Sequence, residues 1–129
     1  MTGQKSVLAI GLDPKHADFT QFPQLTTELI QGYIHAQLDH LRSLGYQVTC
    51  CLVDRGETAE QTLRSALSGA SFECVVVGAG IRKPDSKLLL FETVINLIHQ
   101  LAPGGRICFN TSPGDTVQAV QRWLPVIPD

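Results

Sequence analysis

Short apolar runs of strand length alternate, four times over, with segments of helical period, and this alternation limits what the chain can fold into. The runs are KSVLAIGL at Lys5 to Leu12, YQVTCCLV at Tyr46 to Val53, FECVVV at Phe72 to Val77 and RICFN at Arg106 to Asn110. They are nearly continuous in apolar residues, as strands covered on both faces are. The segments between and after them predict helices over 23–44, Gly56 to Ser68, Asp85 to Leu101 and Ser112 to Leu124. A βαβαβαβα order implies a parallel sheet with helices on both faces, a three-layer α/β/α sandwich of Rossmann-like or flavodoxin-like class. Right-handed crossovers then favour a sheet order of 2-1-3-4. The first and last helices share one face, and the second and third share the other.

Local signals set the predicted helix ends. In the first helix Leu25, Leu29, Tyr33 or Ile34, Leu38, Leu41 and Leu44 recur at helical spacing, with Pro23 suited to the first turn and Gly45 to the stop. Thr58 with Gln61 has capping-box spacing, and so does Ser112 with Asp115, with Pro113 at the first helical position. Pro125 and Pro128 end the last helix. The third helix, LLLFETVINLIHQL, is apolar on more than one stripe, which predicts deep burial combined with a contact to a second copy or another protein. Trp123 is expected to anchor packing at the end of the last helix.

At 129 residues the chain is read as one domain, 1–129, able to bury a core without staples. Ten Lys and Arg against twelve Asp and Glu give no basic excess, so neither nucleic acid nor an anionic membrane is expected as a partner. The apolar stretch near the start, Val7 to Leu12, is only six residues long, too short for a secretory leader, and no run reaches membrane-spanning length. A cytoplasmic protein is expected. The four cysteines, Cys50, Cys51, Cys74 and Cys108, form no C-x-x-C pair and read as small buried residues in a reducing compartment, with no metal expected. Alternation sends Cys50 and Cys51 to opposite faces of their strand.

In an open parallel sheet, ligands bind beyond the carboxyl ends of the strands, where the strand order reverses. The residues leaving the strands are therefore the candidates. They are Asp13 to Asp18 after the first, Asp54 to Glu57 after the second, Gly78 to Lys83 after the third, and Asn110, Thr111, Ser112 and onward after the fourth. Asp13, Asp54, Gly78, Gly80, Arg82, Lys83, Asn110, Thr111 and Ser112 are the predicted ligand-binding set. The glycines would admit close approach, and Arg82 with Lys83 would attract an anion. VVVGAG is not a dinucleotide fingerprint. Lys83 stands where its third glycine belongs, and the first βα turn reads GLDPKH. No cofactor is expected. Asp13-Pro14 also suits an Asx turn, and His35, His40 and His99 read as structural or exposed.

GYQVTCCLVDRGETAEQTLRSALSGASFECVVVGAGIRKPD resembles the middle of a response-regulator receiver domain, with Gly56, Glu57, Ala59 and Leu63 in the family's G-E-x-A-x-x-x-L pattern. Asn110-Thr111-Ser112 is similar to the receiver's switch Thr or Ser. Gly78 stands where that family has its phosphoacceptor aspartate, Asp13 alone replaces the paired acids, and no fifth strand follows. The resemblance therefore implies architecture and regulation by binding, without phosphotransfer. LAPGGRI is similar to the late strand of many methyltransferases, but their glycine-rich first loop is missing.

Three functions follow as expectations. The first is a non-catalytic binding or regulatory module for a small anionic ligand or a protein partner at the strand ends. The second is a small enzyme in which Asp13 or His16 is the acid or base and Asn110, Thr111 or Ser112 orients substrate. The third is a structural subunit of an oligomer, joined through the third helix or a sheet edge.

Overall fold

The computed structural model describes residues 5–17, 24–83 and 85–125. Asp18, Pro23 and Pro128, singled out above, lie outside them. Four parallel strands, β1 (Lys5–Leu12), β2 (Tyr46–Val53), β3 (Cys74–Val77) and β4 (Arg106–Phe109), form one sheet in the order β2-β1-β3-β4. Helices α1 (Thr27–Ser43) and α5 (Thr116–Trp123) cover one face. Helices α2 (Ala59–Ser68) and α4 (Leu88–Leu101) cover the other, together with the one-turn helix α3 (Ala79–Arg82). The predicted class, order and division of helices between faces are the observed ones.

Alternation along the strands builds two cores. Leu8 and Ile10 of β1, Val75 and Val77 of β3 and Cys51 and Val53 of β2 pack on Leu63 and Leu67 of α2 and Leu90, Val94, Leu97 and Ile98 of α4. On the other face Val7, Cys74, Val76 and Cys108 pack on Leu38 and Leu41 of α1 and Val117 and Val120 of α5. β3 lies between β1 and β4, and all four of its residues are buried. Truncating a side chain as enclosed as Leu63, which is fully buried, removes about 2–5 kcal/mol of stability.

α1 is capped by Thr26, whose hydroxyl oxygen accepts the Leu29 N–H at 3.1 Å. Its chain reverses at Gly45, where φ is +102° and a side chain would be strained. The helix turns Leu38 and Leu41 inward and partly buries Ile34, so Ile34 continues the apolar stripe while Leu29 and Tyr33 stand exposed. Gln37 Oε1 accepts the Val117 N–H at 2.9 Å, and the Tyr46 hydroxyl donates to the Leu124 carbonyl at 2.5 Å. These two bonds tie α5 to α1 and to the edge strand.

Several expected boundaries shift, each for a visible reason. α2 starts at Ala59, and Thr58 makes no cap with its own side chain. Its hydroxyl donates instead to Asp54 Oδ2 at 2.6 Å, and Asp54 also accepts the Gly56 and Thr58 N–H groups. α5 starts at Thr116, because Asp115 folds the preceding turn back on itself by accepting the Thr111 and Ser112 N–H groups at 2.8 and 3.1 Å. Pro113 consequently lies in a turn before the helix. The segment after β3 contains α3 and a short 3-10 turn, Asp85–Lys87, before α4. Trp123 is 53% exposed, and its neighbour Leu124 fills the core. α4 buries four of its apolar side chains and leaves Leu88 and Leu89 exposed. No helix among the described residues is long and apolar enough to cross a membrane.

Candidate functional site

The two faces of the sheet are filled unequally toward the carboxyl ends of the strands. Facing α2 and α4, β1 presents Leu8, Ile10 and Leu12, all large. Facing α1, the same strand runs Val7, Ala9, Gly11, and β3 with its continuation runs Cys74, Val76, Gly78. Side-chain volume tapers to nothing on that face alone. The amino-terminal half of α1 spans the gap with Ile30 and Ile34, which are only partly buried. A cavity of about 190 Å³ results. Ala9, Gly11, Val76 and Gly78 form its floor, with Cys50 and Leu52 of β2 beside them. Ile30, Ile34 and Leu38 form the roof, and Pro14, Gly80 and Pro113 border it from the outgoing turns. Gly78 cannot carry a side chain without crowding, since a Cβ there would lie 3.3 Å from the Ile10 carbonyl oxygen.

One corner of the cavity is polar. Asn110, which follows β4 and is 8% exposed, accepts the Ala79 N–H on Oδ1 at 2.8 Å and donates from Nδ2 to Thr116 Oγ1 at 3.0 Å. The Thr116 hydroxyl keeps its own proton to donate, and none of the described residues lining the cavity carries a charge.

Of the predicted residues, Gly78, Gly80 and Asn110 meet at this cavity. The others hold the surrounding turns. Arg82 donates from Nη2 to the Asn110 carbonyl at 2.7 Å and lies over the Phe109 ring, 5.3 Å from its centroid. Its Nε is buried and has no protein acceptor. Lys83 Nζ donates to the Thr111 carbonyl at 2.6 Å. Both cations therefore bridge the turn after β3 to the turn after β4. The Thr111 hydroxyl and the Thr111 and Ser112 N–H groups all go to Asp115. Asp13 accepts the Lys15 N–H at 3.1 Å in the expected Asx turn and lies 3.9 Å from Lys15 Nζ. The His16 carbonyl accepts Arg55 Nε at 2.8 Å.

The carboxylates and thiols follow their settings. Asp54 titrates below the usual carboxylate range, because the Thr58 hydroxyl and the Gly56 N–H stabilise its charge. Burial pulls Asp115 upward, but hydrogen bonds from Thr111 and Ser112 outweigh it, so its carboxyl also lies low. Burial raises Cys50, with Arg42 opposing, and pushes Cys51 up to about 11. Cys50 is exposed, contrary to the expectation of four buried thiols, while Cys51, Cys74 and Cys108 are buried. The Cys74 and Cys108 sulfurs touch at 3.5 Å across adjacent strands, and that contact together with burial holds Cys108 protonated. Among the described residues no three His, Cys, Asp or Glu side chains gather as they would around a metal ion.

The cavity itself escaped sequence reasoning, which looked for polar groups on the rim. Its signal was present: Ala9, Gly11 and Gly78 are small residues on one face of two neighbouring strands. The sequence matches no protein-family model, and no curated protein matches it.

Proposed function

We propose that this chain is a non-catalytic binding module that takes a small molecule into the cavity between α1 and the carboxyl ends of β1 and β3. The observation that carries this reading is the taper from Val7 to Gly11 on the α1 face, opposite the full-sized Leu8, Ile10 and Leu12. A half-open pocket of about 190 Å³ lined by apolar side chains gives a small molecule a concave, mostly apolar seat. It also lies where open parallel sheets bind their ligands. Arg82 and Lys83 support the site by fixing the Asn110 and Thr111 backbone. Occupancy would couple to α1 through Ile30 and Ile34, which gives a regulatory module a helix to respond with.

Thermal shifts with a panel of small aromatic, short-acyl, phosphate and nucleotide compounds test this, using wild type and Ala9→Ile. The larger side chain fills the floor. At least one compound is expected to raise Tm in wild type and to lose that effect in a variant whose circular dichroism is unchanged. Equal shifts in both proteins, or none in wild type, would overturn the reading.

A further inference from the structure

Size, charge and the single polar corner together narrow what the cavity accepts. We infer that it takes an uncharged ligand with one aromatic ring and one hydrogen-bond acceptor, the acceptor meeting the Thr116 hydroxyl. This rests on the reading that the cavity is a binding site.

Volume sets the ring. An apolar cavity of about 150 Å³ holds one benzene. The cavity of about 190 Å³ here has room for one ring with about two or three further heavy atoms. A fused-ring nucleotide base with its sugar and phosphate exceeds it. Charge sets the neutrality. None of the described lining residues is ionisable to a cation or a carboxylate, and Arg82 and Lys83, which are not among them, donate to the Asn110 and Thr111 carbonyls. A carboxylate entering this space would exchange its whole hydration shell for the one Thr116 hydroxyl, whereas a neutral acceptor gives up far less water for the same bond. The polar corner sets the acceptor. Asn110 has its oxygen occupied by the Ala79 N–H and one amide proton on Thr116 Oγ1. That bond fixes the Thr116 oxygen as an acceptor and leaves its proton for the ligand. A purely apolar ligand would bury that hydroxyl without an acceptor.

Cys50 supplies the readout, because it lines the cavity and its thiol is exposed. Its alkylation by iodoacetamide is followed on the full chain with three probes of one shape: acetophenone, α-methylstyrene, which lacks the acceptor, and benzoate, which is an anion. Acetophenone is expected to slow alkylation saturably. Benzoate should bind at least ~10-fold more weakly. α-Methylstyrene should lie between them, about fivefold below acetophenone. Thr116→Val should bring acetophenone down to the α-methylstyrene level, and Thr116→Ser should restore it. Benzoate binding as well as acetophenone, or α-methylstyrene as well as acetophenone in wild type, would overturn the ligand class while leaving the cavity a binding site. Protection by none of the three would overturn the ligand class, and the binding-site reading falls with it when the thermal-shift panel also gives no shift. The wild-type comparison decides the matter even if Thr116→Val fails to fold.

Discussion

The Asn110 side chain joins the turn after β4 to the start of α5 by donating to Thr116 Oγ1 at 3.0 Å. Its oxygen takes the first N–H of α3. One buried amide therefore fixes three segments at the mouth of the cavity. Asn110→Ala should lower stability by about 1–3 kcal/mol, since it leaves the part-buried Ala79 N–H without its acceptor. Urea denaturation measures this. A loss below about 0.5 kcal/mol would mean that water replaces the amide.

Arg82 and Lys83 are adjacent in sequence and differ in how much they hold. Arg82 combines a hydrogen bond to the Asn110 carbonyl with stacking over Phe109, whereas Lys83 is exposed and makes one bond to the Thr111 carbonyl. Arg82→Ala is expected to cost about 1–2 kcal/mol. Lys83→Ala should stay within about 0.5 kcal/mol of wild type. Equal effects in urea titrations would show that the stacking contributes nothing.

Acid should weaken the fold through Asp54 and Asp115. Both have lowered pKa values in the folded state, Asp54 through Thr58 and Gly56 and Asp115 through Thr111 and Ser112. A depressed folded value means that the stabilisation is fully present above the ordinary aspartate range and is lost as pH falls through the lowered values. The urea midpoint should therefore fall from pH 5 downward, and Asp54→Asn with Asp115→Asn should flatten that fall. An unchanged slope in the double variant would place the acid sensitivity elsewhere.

Thiol accessibility gives an independent check on the packing. Cys50 is exposed, whereas Cys51, Cys74 and Cys108 are buried. A polar maleimide at pH 7 should label Cys50 ahead of the other three, which react only on unfolding. Peptide mapping by mass spectrometry reads this directly. Fast labelling of Cys74 or Cys108 would contradict the enclosed β3–β4 core.

The fold was legible because it depends on periodicity. β1 and β2 span the residues that their apolar runs predict, and the helix faces follow from right-handed crossovers. Helix starts were less legible, because capping is a competition. Thr58 and Ser112 both have capping spacing, yet Asp54 and Asp115 capture the local N–H groups with full charge. The rim of the site was legible as a place, and Asn110 stands in it. The roles of Arg82 and Lys83 were not, since the sequence cannot show that the Asn110 and Thr111 carbonyls come within their reach. The cavity depends on what Ala9, Gly11 and Gly78 lack. An absent side chain leaves a mark in sequence only when strand alternation on both faces is compared.

Xenon pressure on crystals of the wild-type protein tests the hollow under α1 most directly, because xenon enters apolar cavities without needing a specific ligand. A xenon atom is expected between Ile34 and the Gly11–Gly78 floor, and Ala9→Ile should abolish it. Side chains filling that space, or no xenon there while it enters elsewhere, would contradict the account.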